Sequence, residues 1–320
     1  MSSVSDPLAK GETAPLHDGG FHTILNFRDV GATINANVKS TANATSISTT
    51  SPPLLKEGIL FRSARPDEAT LADRDRLRNH YDIRTIMDLR SKTEHSQAAE
   101  KRAALQSQPD VVAKNPALSE PARIPGITYR DVKITGPGFE KRMLSQLSWS
   151  SFFKLISLYS IGHRTSAIAI LGREVMTPRG LSGLAKDTLD ASGPEIAIGL
   201  RSLLPSSSTS TPTPILVHCT QGKDRTGLMI TLLLLICRVP ATAIEQDYEL
   251  TDEKLAEERG QRLDEIREMG LSEEFGRTAP GFVQGVTAHL EEKYGGLDGY
   301  LNGIGFCEGE REALRRAMLA

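Results

Sequence analysis

Apolar and polar positions alternate with two different periods along the chain. Gly58-Ile-Leu-Phe-Arg-Ser63 reads as a short strand. Ile83-Arg-Thr-Ile-Met-Asp-Leu89, with β-branched residues and apolar ends, reads as a second, and Ile127 to Ile134 alternates as a third. Between them, Asp67 to His80 has helical spacing with Asp67 placed as the N-cap, and Ser91 to Leu105 is helical again. Ile215-Leu-Val217 is the most apolar strand, and it is soon followed by an apolar run from Leu228 to Cys237 broken only by Thr231. This alternation predicts an α/β fold, a central sheet flanked by helices. The stretch from Glu140 to Leu204 differs. Leu144, Leu147, Phe152, Leu155, Ile156 and Tyr159 fall at helical spacing, and the cluster Ile168 to Leu171 is followed one turn later by Val175 and Met176. It predicts a helical insertion over 140–204, either simple cover for the sheet or a lid over a site. After Pro240 the pattern is helical once more, with Pro at a first-turn position.

Three segments lack any period. Residues 1–20 mix Gly, Pro and polar residues and read as a flexible tail. Residues 40–53, STANATSISTTSPP, hold eight Ser or Thr in fourteen positions and read as a flexible insertion. Residues 205–214 consist wholly of Ser, Thr and Pro and read as a surface loop leading into the core. The remainder, 21–320, is read as one domain.

Composition narrows the function. With 38 Lys+Arg against 40 Asp+Glu the chain is no general nucleic-acid binder, and 5% aromatic residues leave little for base-stacking platforms. The three cysteines, Cys219, Cys237 and Cys307, form no CxxC pair, and HExxH is absent. That pattern fits a reducing compartment and predicts neither a metal nor a cofactor. No apolar signal region opens the chain, and its longest apolar run is far short of the ~20 residues that span a bilayer. A cytoplasmic protein without a membrane span is expected, with transient contact at a membrane surface left open.

The chemistry concentrates in Ile215-Leu-Val-His-Cys-Thr-Gln-Gly-Lys-Asp-Arg-Thr-Gly227: a buried strand, a tight loop and a helix beginning near Thr226. Gly222 allows the loop to turn its N–H groups inward, and the positive end of the helix points the same way. Such a loop cradles a tetrahedral dianion. Thr220, Gln221, Gly222, Lys223, Asp224, Arg225 and Thr226 are the expected phosphate-binding positions. Cys219 at the base is the candidate nucleophile, in a setting that favours a thiolate. Arg225 can hold two phosphoryl oxygens at once. Thr226 is placed to stabilise a departing thiolate, and His218 to orient rather than to act as a base. A nucleotide-binding P-loop would need Gly where Val217 stands and Ser or Thr where Asp224 stands. A thiol-redox enzyme would need a resolving cysteine nearby, whereas Cys237 lies several turns along the following helix.

His218-Cys219-Thr-Gln-Gly-Lys-Asp-Arg-Thr-Gly227 resembles the signature of the cysteine-dependent protein tyrosine phosphatase superfamily, in its HCxAGKDRTG branch. Asn26-Phe-Arg-Asp-Val-Gly31, Leu60-Phe-Arg-Ser63 and Met87-Asp-Leu-Arg-Ser91 with Glu94 match the same branch in order and spacing. Gln221 departs from it, since the branch often has Ala there. The resemblance implies a phosphatase working through a phosphocysteine, on phosphotyrosine, with phosphoserine/threonine or phosphoinositides left open as further classes. A catalytically weak phosphate-binding adaptor of the same fold is the alternative. It also implies a carboxylic acid that protonates the leaving oxygen, and two candidates stand: Asp88 at the end of its strand and Asp224 within the loop. Lys223 is read as extra positive charge near the pocket mouth, favouring highly charged substrates, or else as a solvent-facing lysine. Arg28 and Asp29 are candidates for the pocket floor and Arg62 for anchoring the loop from behind, unless each forms a structural ion pair.

Overall fold

A computed structural model describes residues 16–44, 54–205, 212–257 and 259–320. Its sheet has five short strands: β1 (Arg28–Asp29), β2 (Leu60–Ser63), β3 (Thr85–Asp88), β4 (Thr128–Asp131) and β5 (Ile215–His218), in the order β1-β2-β5-β3-β4. Only β1 runs antiparallel to its neighbour. The last strand in sequence is therefore the middle one in space. Val217 pairs with Arg62 on one side and Met87 on the other, and His218 lies between Ser63 and Asp88. Every residue of β2, β3 and β5 is buried. That is why they read as near-continuous apolar runs, as parallel strands covered on both faces do. Their carboxyl ends share one edge, and in open α/β sheets the crevice beyond that edge is where ligands bind.

Fifteen helices surround the sheet: α1 (Val30–Ala44), α2 (Leu71–Asp75), α3 (Lys92–Gln106), α4 (Pro109–Lys114), α5 (Pro137–Leu144), α6 (Trp149–Ser160), α7 (Arg164–Leu171), α8 (Thr177–Ala191), α9 (Gly193–Arg201), α10 (Asp224–Ile236), α11 (Ala241–Lys254), α12 (Arg259–Glu268), α13 (Phe282–Tyr294), α14 (Leu297–Gly303) and α15 (Glu308–Met318), counted among the described residues. Alternate strand residues face two cores. Leu60, Met87, Ile215 and Val217 join α1, α10, α13 and α15 in the larger, while Phe61, Ile86 and Leu216 join Phe21, Phe27 and Ile83 in the smaller. The apolar run is α10, buried on nearly every side. No described helix is long and apolar enough to cross a membrane.

Several expectations shift. The helix expected from Asp67 starts at α2, where Thr70 and Asp73 form a reciprocal capping box, and it ends in a wide turn over Arg76–His80. Asp67 is not a cap; its carboxylate instead receives both terminal nitrogens of Arg90, at 2.6 and 2.9 Å. Of the flexible insertion expected over 40–53, residues 40–44 are helical instead, because α1 runs through residue 44. Val30, Ile34 and Val38 bury one helical stripe and outweigh the polar composition that follows. Residues 45–53, and 206–211 of the expected Ser/Thr/Pro loop, lie outside the described residues. Of the expected tail, residues 1–15 lie outside them as well, whereas 16–20 are tied down. Lys254 Nζ reaches Asp18 at 2.6 Å, and Tyr81 Oη donates to the Gly19 carbonyl at 3.0 Å.

Residues 137–201 are helical and divide in two. Leu189 of α8 and Ile196 and Leu200 of α9 belong to the larger core, so this half covers the sheet. α6 and α7 stand off as a hairpin with a small cluster of their own, Leu155, Ala167 and Ile170.

Candidate active site

Cys219 follows the last residue of β5 and is buried. The loop after it leads into α10, which opens at Asp224, two residues earlier than the sequence suggested. The orientation of this loop follows from where its carbonyls go. Cys219 O contacts His218 Nδ1 at 3.0 Å, and Thr220 O accepts from the Arg65 N–H at 3.1 Å. Gln221 O accepts from Asn26 Nδ2 at 3.0 Å, and Gly222 O accepts from both Asn26 Nδ2 at 3.1 Å and Arg62 Nη2 at 2.8 Å. All four carbonyls are thus held by the surrounding scaffold. In a trans peptide the N–H points opposite to the C=O. The N–H groups of Thr220, Gln221, Gly222 and Lys223 consequently turn to the other side, into a concave nest over the Cys219 end of the strand. Gly222 is required here. Its φ is +66°, and a Cβ would lie 2.0 Å from the Ser63 carbonyl oxygen.

Beneath the nest lies a buried polar network. Asp247 on α11 accepts from Arg28 Nε at 2.7 Å and from Arg62 Nη1 at 2.5 Å. Arg28 also donates to the Asp247 carbonyl at 2.7 Å and to Thr251 Oγ1 at 3.0 Å, and its Nη1 bonds the Asn26 side-chain oxygen. Burial works against the Asp247 carboxylate, but the two guanidinium groups outweigh it and hold it below its ordinary value. Arg62 feels burial and the like charge of Arg28 more than it feels Asp247, and is lowered to about 10, still charged at neutral pH. The backbone of Asn26 sits at φ 55°, a left-handed conformation that Asn tolerates and that aims one amide at two loop carbonyls.

Arg225, in the first turn of α10, forks onto Glu94, with both N···O distances 2.6 Å. Thr220 Oγ1 donates to the same carboxylate. Glu94 reaches the site because it also caps α3, accepting from the Ser91 N–H at 2.9 Å. Burial opposes its charge, yet Arg225 and these donors hold the carboxyl well below the usual carboxylate range. Arg225 is raised in return: Glu94 outweighs its desolvation. Its two terminal nitrogens are thus fixed on Glu94, and Nε lies outside that fork. Thr226 is fully buried, and its hydroxyl has no hydrogen-bond partner among the described residues. Burial lowers the pKa of His218, against the opposite pull of Asp88.

The two carboxyl candidates sit in opposite settings. Asp88 Oδ1 accepts from the Arg90 N–H and Nε, each at 3.0 Å, and Oδ2 from Arg90 Nη2 at 2.7 Å. Burial pushes this carboxyl up, but the neighbouring His218 and the Arg90 fork pull it down to about 2. A carboxylate locked in its ionised form is the reverse of a proton donor, and this corrects the expectation placed on Asp88. Asp224 opens α10 beside the nest, partly exposed, and its Oδ1 is buried without a hydrogen-bond partner among the described residues.

Lys223 is also corrected. It is 0% exposed, and its ammonium donates to the Phe275 and Arg277 carbonyls, both at 2.6 Å, with Asp224 Oδ1 3.7 Å away. It anchors the loop to the segment before α13 and adds no free charge at the mouth. Gln221 is partly exposed on the loop. Asp29 is no part of the floor, since its carboxylate accepts from the Ala32 N–H at 3.2 Å and the Gly58 N–H at 2.5 Å. Cys237 ends α10 at the far side from the loop, and burial raises its thiol to about 12, which leaves Cys219 without a resolving partner there. Asp88, His95 and Asp131 converge closely enough to suggest a metal site, but Arg90 already occupies Asp88, and Arg123 holds Asp131 at 2.6 Å.

The sequence leads one to expect Asp247 to Thr251 packed under the site without a catalytic role, but not the charge pairing of Asp247 or the individual roles of Asn26 and Glu94. A signal existed for the first. Ala243, Ile244, Asp247, Tyr248 and Thr251 form one buried helical stripe, and a carboxylate in such a stripe needs a buried cation.

A tyrosine-protein phosphatase from Nostoc commune is 35% identical over 111 residues, which are 32% of this chain and 37% of that protein. The triple specificity protein phosphatase PtpB of Mycobacterium tuberculosis is 28% identical over 122 residues, 33% of this chain and 44% of that protein. The chain thus matches less than half the length of either curated relative. Far wider is the agreement with the tyrosine phosphatase family as a whole, which runs over residues 20–320, and the chain belongs to that family.

Proposed function

We propose that this protein hydrolyses phosphomonoesters through a phosphocysteine, with phosphotyrosine as the first substrate class and phosphoserine/threonine or phosphoinositides as further ones. The observation that carries this reading is the nest itself: four outward carbonyls, and hence four inward N–H groups, between a buried Cys219 and Arg225. A phosphoryl group seated there receives N–H donors on its equatorial oxygens and the side edge of Arg225. Cys219 Sγ, as thiolate, attacks phosphorus in line, the S–P bond forms, and the P–O ester bond breaks. Asp224 supplies the proton to the departing oxygen. In the second half, the Asp224 carboxylate takes a proton from water as the water attacks phosphorus; the S–P bond breaks, and inorganic phosphate leaves. The unpartnered hydroxyl of Thr226 is available to the departing thiolate. The printed name of the mycobacterial relative speaks of triple specificity, which favours testing a broad substrate set.

The test compares wild type, Cys219→Ser and Asp224→Asn on aryl phosphates of graded leaving-group pKa. Cys219→Ser abolishes turnover while vanadate binding persists. Asp224→Asn slows poor leaving groups by roughly 10²–10⁴-fold and good ones far less. Turnover retained by Cys219→Ser overturns the covalent route. An even loss across leaving groups in Asp224→Asn moves the acid elsewhere. A wild type that binds vanadate without turning over any ester is the adaptor. Relative rates on phosphotyrosine peptide, phosphoserine peptide and phosphoinositide then assign the substrate class.

A further inference from the structure

The outer face of α6 is apolar and uncovered. Its inner face packs Leu155 and Leu158 against Ala167 and Ile170 of α7. Its outer face carries Trp149, Phe153, Ile156 and Tyr159, and Ile161 follows at the hairpin tip. Trp149 is 80% exposed and Phe153 64%, with their rings stacked 6.2 Å apart. Side chains of this kind gathered on one helix face are what soluble surfaces avoid unless something covers them.

Charge identifies the cover. From Lys141 to Arg173 the sequence holds five Lys or Arg and no Asp or Glu, in a chain whose formal net charge is −2. Arg142 is used inward, on Asp187 at 2.6 Å. Lys141, Lys154, Arg164 and Arg173 are exposed, and Arg164 lies 5.6 Å from the Tyr159 ring centroid. The two acids that flank this stretch are both engaged: Glu140 accepts from Lys133 Nζ at 2.7 Å, and Glu174 from Ser151 Oγ at 2.7 Å at the start of α6. An indole, a phenyl ring and aliphatic side chains within a stretch that carries cations and no acid are the composition that seats a helix in the interface of an anionic bilayer. The hairpin has a firm base for this: Gly172 packs so closely that a Cβ there would lie 2.0 Å from the Met269 carbonyl oxygen. That backbone continues into the segment whose carbonyls hold Lys223.

We infer that the α6–α7 hairpin docks the protein onto an anionic lipid surface, with Trp149 and Phe153 entering the interface and the exposed lysines and arginines facing the headgroups. This docking stands apart from the catalytic reading and does not depend on it.

Trp149 is the single tryptophan of the chain, so its fluorescence reports this face alone. The full chain is mixed with vesicles of phosphatidylcholine or of equimolar phosphatidylcholine and phosphatidylserine. With the anionic vesicles the emission moves to the blue and the protein floats with the lipid; with the neutral vesicles both effects are small, and added salt reverses them. Lys154→Glu/Arg164→Glu weakens partitioning by on the order of 30-fold. Phe153→Ser/Ile156→Ser also weakens it, and an unchanged thermal midpoint shows that each variant is folded. Emission that stays at its aqueous position with anionic vesicles overturns the inference. So does flotation that ignores the Phe153/Ile156 change. A lipid-free blue shift that grows with protein concentration assigns the face to a second copy. One that appears on adding vanadate alone assigns it to closure over the protein's own site. Either result replaces the bilayer.

Discussion

The floor of the nest and the outer face of α6 invert the usual rule of polarity. Beneath the nest, Arg28, Arg62 and Asp247 are almost wholly buried; on α6, a tryptophan and a phenylalanine face solvent. The buried charges are tolerable because most of their donors and acceptors are matched: Asp247 takes a guanidinium on each carboxylate oxygen, and Arg62 spends another nitrogen on the Gly222 carbonyl, with its Nε alone lacking a partner among the described residues. Such a network adds little net stability over an apolar core, but it allows only one arrangement of the loop above it. The exposed rings fix nothing within the molecule. One region uses its unusual residues to hold an internal geometry, and the other keeps them for an external surface. Substitution should therefore affect stability in the first region and leave it nearly unchanged in the second.

The largest effect is expected at Asp247. Asp247→Asn keeps the shape but removes the charge, leaving Arg28 and Arg62 side by side in the interior. Breaking a buried pair in this way destabilises by about 3–5 kcal/mol, measured by denaturant unfolding. Substrate affinity should fall too, because Arg62 and Asn26 hold the loop carbonyls. A loss below about 1 kcal/mol would mean that the network does not determine the loop geometry.

Asp88 should give the next largest effect. Its folded value of about 2 lies below the ordinary carboxylate value of ~3.9. A depressed carboxylate contributes stability that is fully present above the unfolded value and is lost as pH falls through the folded one. The protein should therefore lose stability between about pH 4 and pH 2, partly through this group. Asp88→Asn should remove on the order of 2 kcal/mol at neutral pH and flatten that part of the acid limb. It should leave the leaving-group dependence of turnover unchanged. If Asp88→Asn instead slows poor leaving groups selectively, Asp88 is the acid despite Arg90.

This division explains what could be read from the sequence. β2 to β5, α10 and the loop between Cys219 and Arg225 were legible because their signals are local: apolar runs, one glycine and a short fixed spacing; the two-residue β1 is too short to leave one. Two of the corrections at the site concern which partner a charged side chain takes, and only for Lys223 is that partner distant in sequence. Lys223 is held by carbonyls more than 50 residues away, with 52 separating it from Phe275. Asp88, at its strand end, takes a partner only two residues on, where Arg90 folds back onto it. No period marks such choices, since a charged residue at a strand end has the same pattern whether it faces a substrate or an arginine. The start of α2 failed for a related reason. Asp67 and Thr70 are both good caps, and Asp67 was drawn off by Arg90.

The smallest effect is also the one that separates the regions most sharply, and it can be measured within α6 alone. Leu155 is buried in the hairpin cluster, whereas Trp149 lies two turns earlier on the outer face. Leu155→Ala should destabilise by roughly 2–3 kcal/mol, near the low end for core leucines, because the cluster is small and can collapse. Trp149→Ser removes far more apolar surface, yet from a side chain already in water, so the change should stay within about 0.5 kcal/mol. A larger loss at Trp149 would mean that the indole packs against the protein in solution, and the outer face of α6 would then belong to the fold. If Trp149→Ser is neutral while it weakens binding to anionic vesicles, the same side chain is dispensable inside the molecule and required outside it. That outcome is the one expected of a surface built for a partner rather than for the core.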